Sequence, residues 1–290
     1  MRHLMSIFIL LSLLSQAAAR ELFVDNLNGD DRRNGRSADS RGAASGPCRT
    51  IAKALRIAEA GDKIFLANTP EPYRESITLQ AASHSGFGDY AFEIIGNGAV
   101  LDGTVSLEGA AWEFLGKDLF RMQPRLMSYQ QLFLNNEPAV RQKVVDGKFP
   151  ALKPREWCLH EGYIYFRVDP NYLPSGYDLR CCGMTIGITL YDVYDVVISD
   201  LTVRGFQLDG INAHDNVRRS DLIGVNCHYN GRSGISVQNS SRLRIEACTA
   251  AGNGAAQLRQ EGFSIVQLID NQLDAASAPA FVREGGKVAE

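Results

Sequence analysis

The sequence predicts an all-β solenoid of stacked parallel β-coils, and three observations predict it. The stretch GFQLDGINAHDN, residues 205–216, returns in outline as HYNGRSGISVQN, so a Gly-Ile pair at 210–211 recurs at 234–235, a period of 24 residues. Short alternating apolar segments run from about residue 63 onward, each closed by Gly, Pro, Asn or Asp, which is strand spacing rather than helix spacing. Periods of ~20–50 residues mark a stacked array, and Asn and Gly corners make it an array of β-coils.

Taken in chain order, residues 1–19 read as an export signal. MRH gives a basic start, residues 4–14 an apolar run too short to span a bilayer, and SQAAAR a small-residue cleavage site near Ala19. The mature chain is therefore expected to begin near Arg20, outside the cytoplasm, secreted or periplasmic, with no membrane insertion after signal cleavage. Residues 20–107 hold a strand-like opening and a turn-rich loop. Its DNLNGDD cluster reads as Asx turns, because it lacks the spacing of a calcium loop. Thr50 then caps IAKALRIAEA, where Ile51, Ala54, Leu55 and Ala58 form a helical stripe that Gly61 is placed to end.

Residues 108–180 depart from the coil pattern and read as an inserted β-hairpin region, with turns at Asn135-Asn136 and Glu161-Gly162. Coils are clearest over residues 181–263, with Val196, Ile198, Leu201, Val203, Ile211, Ile223, Val225, Ile235, Val237, Leu243 and Ile245 expected to point inward. Residues 264–290 read as a divergent tail that has lost the pattern.

At 290 residues, 45% apolar, the chain can bury a real core, and its net charge of −3 offers no basic field for nucleic acid. Six cysteines without a CxxC give little support to a structural zinc site. Adjacent Cys181 and Cys182 would strain a mutual bridge, while Cys227 and Cys248 lie about one coil apart, where either a bridge or two small apolar fillers fits.

The segments LFVDNLNGDD, GPCRTIAKALRIAEAGDKIFL and PYRESITL, followed by the Gly-Ile coils, resemble the secreted bacterial right-handed parallel β-helix proteins of the pectate-lyase-like superfold, over most of residues 21–263. That resemblance implies a right-handed solenoid whose N-terminal helix caps the open end. It specifies activity poorly, because the same opening occurs in lyases, hydrolases, epimerases and proteins of no known activity.

Three functional readings follow from it. Lyase action on an acidic polysaccharide needs carboxylates to hold calcium against a uronate and an arginine to take the C5 proton. Asp209 and Asp215 are the candidate calcium ligands; Arg204, Arg232 and Arg259 are candidate bases. Asp209 is expected beside Arg232 or Ser233, and His214 joins the catalytic candidates. A polygalacturonase-like hydrolase is suggested by QLDGI, but Arg232 stands where that family has His and the second carboxylate is missing. A non-catalytic polysaccharide-binding or cell-surface module needs only exposed aromatics, for which Trp157, Tyr163 and Tyr165 are the candidates. If residues 208–215 are a functional corner, Asp209, His214 and Asp215 should share one exposed face beside Arg232. Asp and Asn at coil corners also cap backbone groups, so the same residues read equally as structural caps.

Overall fold

The computed structural model describes residues 19–87 and 89–289. The export signal expected at residues 1–19 lies, but for its last residue, outside them. Among the described residues no helix is long and apolar enough to cross a membrane.

One continuous 15-stranded sheet winds into a solenoid with three parallel ladders. The first stacks Ile77–Gln80, Ile188–Tyr191, Asp209–His214, Ser233–Val237 and residues 256–260. The second runs through Glu21–Val24, Lys63–Leu66, residues 92–95 and 196–199, Ser220–Ile223, Arg242–Glu246 and residues 265–269. The third joins residues 99–102 and 202–204 to Asn226–His228, Thr249–Ala251 and Gln272–Leu273. Each circuit passes from second to third to first ladder.

The recurring Gly-Ile pair has a physical cause. Ile77, Ile188, Ile211, Ile235 and Leu258 are in register and buried, one above another. Each contributes roughly 1.5–3 kcal/mol of hydrophobic stabilisation. A Cβ on Gly210 would meet Asn230 Nδ2 and the Gly234 carbonyl at 2.8 Å, so the glycine makes room for the asparagine of the next corner. That corner is itself a ladder inside the solenoid. Asn230 Oδ1 accepts from the Phe206 N–H at 3.1 Å, Asn253 Oδ1 accepts from the Asn230 N–H at 2.9 Å, and Asn253 Nδ2 donates to the Cys227 carbonyl at 2.9 Å.

The expected core is buried except at Ile223. Leu222 instead aligns with Ile198 and Ile245, and a one-residue slip exchanges in for out at period two. The reading of residues 264–290 as a divergent tail is corrected. The strand Ala256–Ile269 runs straight through the expected boundary, and Phe281–Ala289 pairs with it as a further parallel strand. The register steps from Ile211 to Ile235, then to Leu258 and Phe281, so the circuits shorten below 24 residues here and the 24-residue spacing is lost while the stacking continues.

The helix Ile51–Ile57 buries Ile51, Ala54 and Leu55. Thr50 Oγ1 accepts from the Lys53 N–H at 3.0 Å, and the Glu75 carboxylate accepts from the Ile51 and Ala52 N–H groups at 2.9 Å each. The helix ends four residues before Gly61, where Ala58 turns extended. The opening Asp/Asn cluster is an Asx turn, with Asp25 Oδ1 accepting from the Leu27 and Asn28 N–H groups.

The insert leaves and rejoins the solenoid through antiparallel Thr104–Ser106 and Leu179–Cys182. Both expected hairpins form, with Asn135, Asn136, Glu161 and Gly162 all at positive φ. A second hydrophobic core, centred on Trp157, Ile164 and Phe166, holds the insert together. All six cysteines are free and buried, so Cys227 and Cys248 act as core fillers and not as a bridge.

Candidate functional site

The outer side of the first ladder carries most of the expected site residues. Asp209 begins the strand Asp209–His214 and pairs in register with Ser233 of the next coil. Arg232, one residue before Ser233, folds back over it. Its Nε donates to Asp209 Oδ1 at 3.0 Å, and its Nη2 donates to Asp209 Oδ2 in a very short contact. Asn212 Nδ2 completes the set, donating to Asp209 Oδ2 at 2.9 Å. Sequence reasoning thus placed Asp209 beside Arg232 correctly but expected the carboxylate in the open. It is fully buried, whereas the Arg232 side chain is 21% exposed. The carboxylate beside it raises the Arg232 pKa above its usual value, which makes this guanidinium a firmer cation and a poorer base.

His214 and Asp215 lie at the far end of the same strand. Asp215 is six residues from Asp209, ~20 Å along an extended chain. Its Oδ1 is 3.5 Å from His214 Nδ1 and accepts from Asn239 Nδ2 at 2.9 Å, and the His214 ring sits 5.0 Å from that of Tyr191. Hydrogen bonding to Tyr191 holds the Asp215 carboxyl below the usual carboxylate range. Its φ of 67° marks it as a left-handed corner residue stacked under Asn239 at φ 57°.

The expectation that Asp209, His214 and Asp215 form one exposed cluster is therefore corrected, because strand length separates them and Arg232 seals Asp209. The two expected calcium ligands are not brought together: both Asp209 oxygens accept from protein donors, and Asp215 accepts from Asn239 at its own corner.

Arg259 stands one coil beyond Ser236, which stands over Asn212. Its Nη1 donates to Glu284 at 2.9 Å and to Glu261 at 3.3 Å. Between the two arginines, Asn212 Oδ1, Ser233 Oγ and Arg259 Nε have no hydrogen-bond partner. Asn212 and Ser236 are buried beneath this face, and the 24-residue period that relates them was legible in the sequence.

The insert forms a wall along this face. Ser128 accepts from Gln207 Nε2 at 2.9 Å, and a Cβ on Gly231 would fall 1.5 Å from the Tyr129 carbonyl, so only glycine admits the wall there. The proposed sugar-stacking aromatics do not line it. Trp157 is wholly buried and donates through Nε1 to the Ala139 carbonyl at 3.0 Å, because the insert needs it as core. Tyr165 is also buried, and half-buried Tyr163 lies under the Arg121 guanidinium at 4.7 Å.

Residues 178–289 match the sequence family described as "Right handed beta helix region". The chain is a right-handed parallel β-helix. Among solved structures, the β-helix is similar to a glycoside hydrolase with a TM-score of 0.55 and 11% identity, covering 87% of this chain and 74% of that one. It also resembles the complex of XylC with xylose (TM-score 0.46, 11% identity, 92% of this chain) and the pectate lyase Pel9A (TM-score 0.40, 12% identity, 93% of this chain). It spans 66% and 58% of those two chains, less than two thirds of either. At these identities the likeness is one of fold. No curated protein sequence matches the β-helix.

Proposed function

We propose that this β-helix is an exported protein that recognises an acidic polysaccharide along the outer face of its first ladder, between the insert wall and Glu261. The observation that carries this reading is the free side of Arg232. Its Nε and Nη2 are fixed on buried Asp209, which leaves Nη1 without a hydrogen-bond partner among the described residues, in a side chain that reaches solvent. A guanidinium locked in orientation by a carboxylate loses little entropy on meeting a second one, which suits a uronate. Arg259, on the following coil, adds a second guanidinium, whose Nη1 is already paired with Glu284 and Glu261.

Cleavage is less well supported than recognition. A lyase base must give up its proton, and Asp209 pushes Arg232 the other way. Hydrolysis needs two carboxyl groups facing the bond, and Asp209 is sealed.

The test is affinity electrophoresis of the mature protein in gels containing uronate polysaccharides or neutral ones, each with and without calcium, alongside an ultraviolet assay for unsaturated product. Retardation by the acidic glycans alone, reduced in Arg259→Gln, is the expected result. Equal retardation by neutral glycans, or none at all, overturns the reading, and unsaturated product would replace recognition with lyase action.

A further inference from the structure

A cavity of about 300 Å³ lies where the insert meets the corner between the third and first ladders. That is the lower end of the size range of small-ligand sites. Arg141 and Lys143 from the insert line it, facing Gln131, Tyr229, Asn253 and Ser277. No carboxylate lines it among the described residues, so two cations face one space with no anion to balance them.

The two cations are held differently. Lys143 Nζ donates to the Ser277 carbonyl at 2.8 Å from an exposed position at the lip. Arg141 is deeper, with its guanidinium 5.0 Å from the centre of the Trp157 ring. Among the described residues the guanidinium's only hydrogen bond is a long one from Nη1 to the Gln130 carbonyl at 3.5 Å; Nε is buried without a partner, and no ion pair reaches it. Burial pushes the Arg141 pKa down, the mark of a cation removed from water without compensation. Such a group is costly unless an anion completes it.

We infer that this cavity is an oxyanion site that takes a carboxylate or sulfate group borne by a sugar, with Arg141 as the buried fork and Lys143 as the outer contact. The sugar part of this inference rests on the acidic-glycan reading; the anion part does not. Guanidinium presents two parallel donors to a planar carboxylate or to two sulfate oxygens, and the Trp157 ring fixes its plane. Arg232 and Arg259 do not line the cavity, so a chain carrying repeated charges has a second anchor beside the insert.

The experiment uses the mature protein, with thermal melting and calorimetric titration at constant ionic strength. The probes are sodium sulfate, trigalacturonate, a sulfated trisaccharide and the methyl ester of trigalacturonate. Trigalacturonate and the sulfated sugar separate the two possible sources of the anion. Sulfate should raise the melting temperature of the wild type, and at least one charged sugar should bind while the ester does not. Arg141→Met and Lys143→Gln should each weaken these effects, by about tenfold for a lost charge-assisted pair. Lys143→Gln changes only an exposed residue, so it remains informative if Arg141→Met fails to fold. A response to sulfate that both variants lose, with no binding of either sugar, supports the anion site and refutes the acidic-glycan reading. No response to any probe, or a response unchanged in Lys143→Gln and in folded Arg141→Met, overturns the proposal.

Discussion

Arg232 reaches back across one coil to hold the buried carboxylate of Asp209 through two of its nitrogens. The two ends of this pair are not equivalent, because Asp209 is sealed from solvent and Arg232 touches it. Arg232→Met should therefore be the more damaging change. It strands a buried charge, a loss of roughly 3–5 kcal/mol, whereas Asp209→Asn leaves a cation that can still reach water and should cost about 1–3 kcal/mol. Urea melts of both variants check the order, and a more stable Arg232→Met would contradict the burial assigned to Asp209.

Asn230 and Asn253 act as a spine inside the corner between the third and first ladders. Asn253→Ala removes the acceptor for the Asn230 N–H and the donor to the Cys227 carbonyl, both fully buried. Each stranded group costs about 1–3 kcal/mol, so a loss of at least ~2 kcal/mol is expected by chemical denaturation. Asn239→Ala, at an exposed left-handed corner, should cost less, about 1–2 kcal/mol.

The six thiols should be silent in the folded protein. Desolvation pushes Cys158 up to about 11 and Cys181 up to about 12, and raises Cys48, Cys182, Cys227 and Cys248 as well. Little thiolate is present near neutrality, and burial blocks the reagent. Thiol titration should read six groups in denaturant and essentially none without it, and a reductant should leave the melting temperature unchanged.

His228 gives a pH dependence with a defined sign. Burial lowers its pKa below the ordinary 6.5, and Arg204 is its neighbour in the ladder on one side. Below about pH 6.5 the unfolded chain binds a proton that the folded chain refuses. Stability therefore falls as pH drops through the window from the unfolded value down to the folded one. His228→Gln should remove this part of the acid sensitivity, so the difference in melting temperature between the two proteins should shift in favour of the variant from pH 7.5 to pH 5. An unchanged difference would mean that His228 is freely solvated.

The repeat period accounts for how much was readable in advance. Parallel coils stack residue over residue, so 24 residues of spacing made Asp209 a neighbour of Ser233 and Arg232 before any coordinates existed. The same rule related Asn212 to Ser236. It failed at Ile223 and beyond Gly262, where a register choice and shorter circuits hid the period while leaving the stacking intact. It was silent about Arg141 and Lys143, since the insert does not repeat.

The sequence by itself determined the solenoid, its capping helix, the two hairpin turns and the pairing of Asp209 with Arg232. These depend on local propensity and on a fixed stacking distance. Only the tertiary structure decided exposure: that Asp209 is sealed, that Trp157 and Tyr165 are core and not platform, and that Asp215 serves its own corner. Burial is set by what the insert and the neighbouring coils lay over a residue, a relation between segments 99 residues apart where Gln131 meets Asn230 and 134 apart where Lys143 meets Ser277, and no local pattern encodes it.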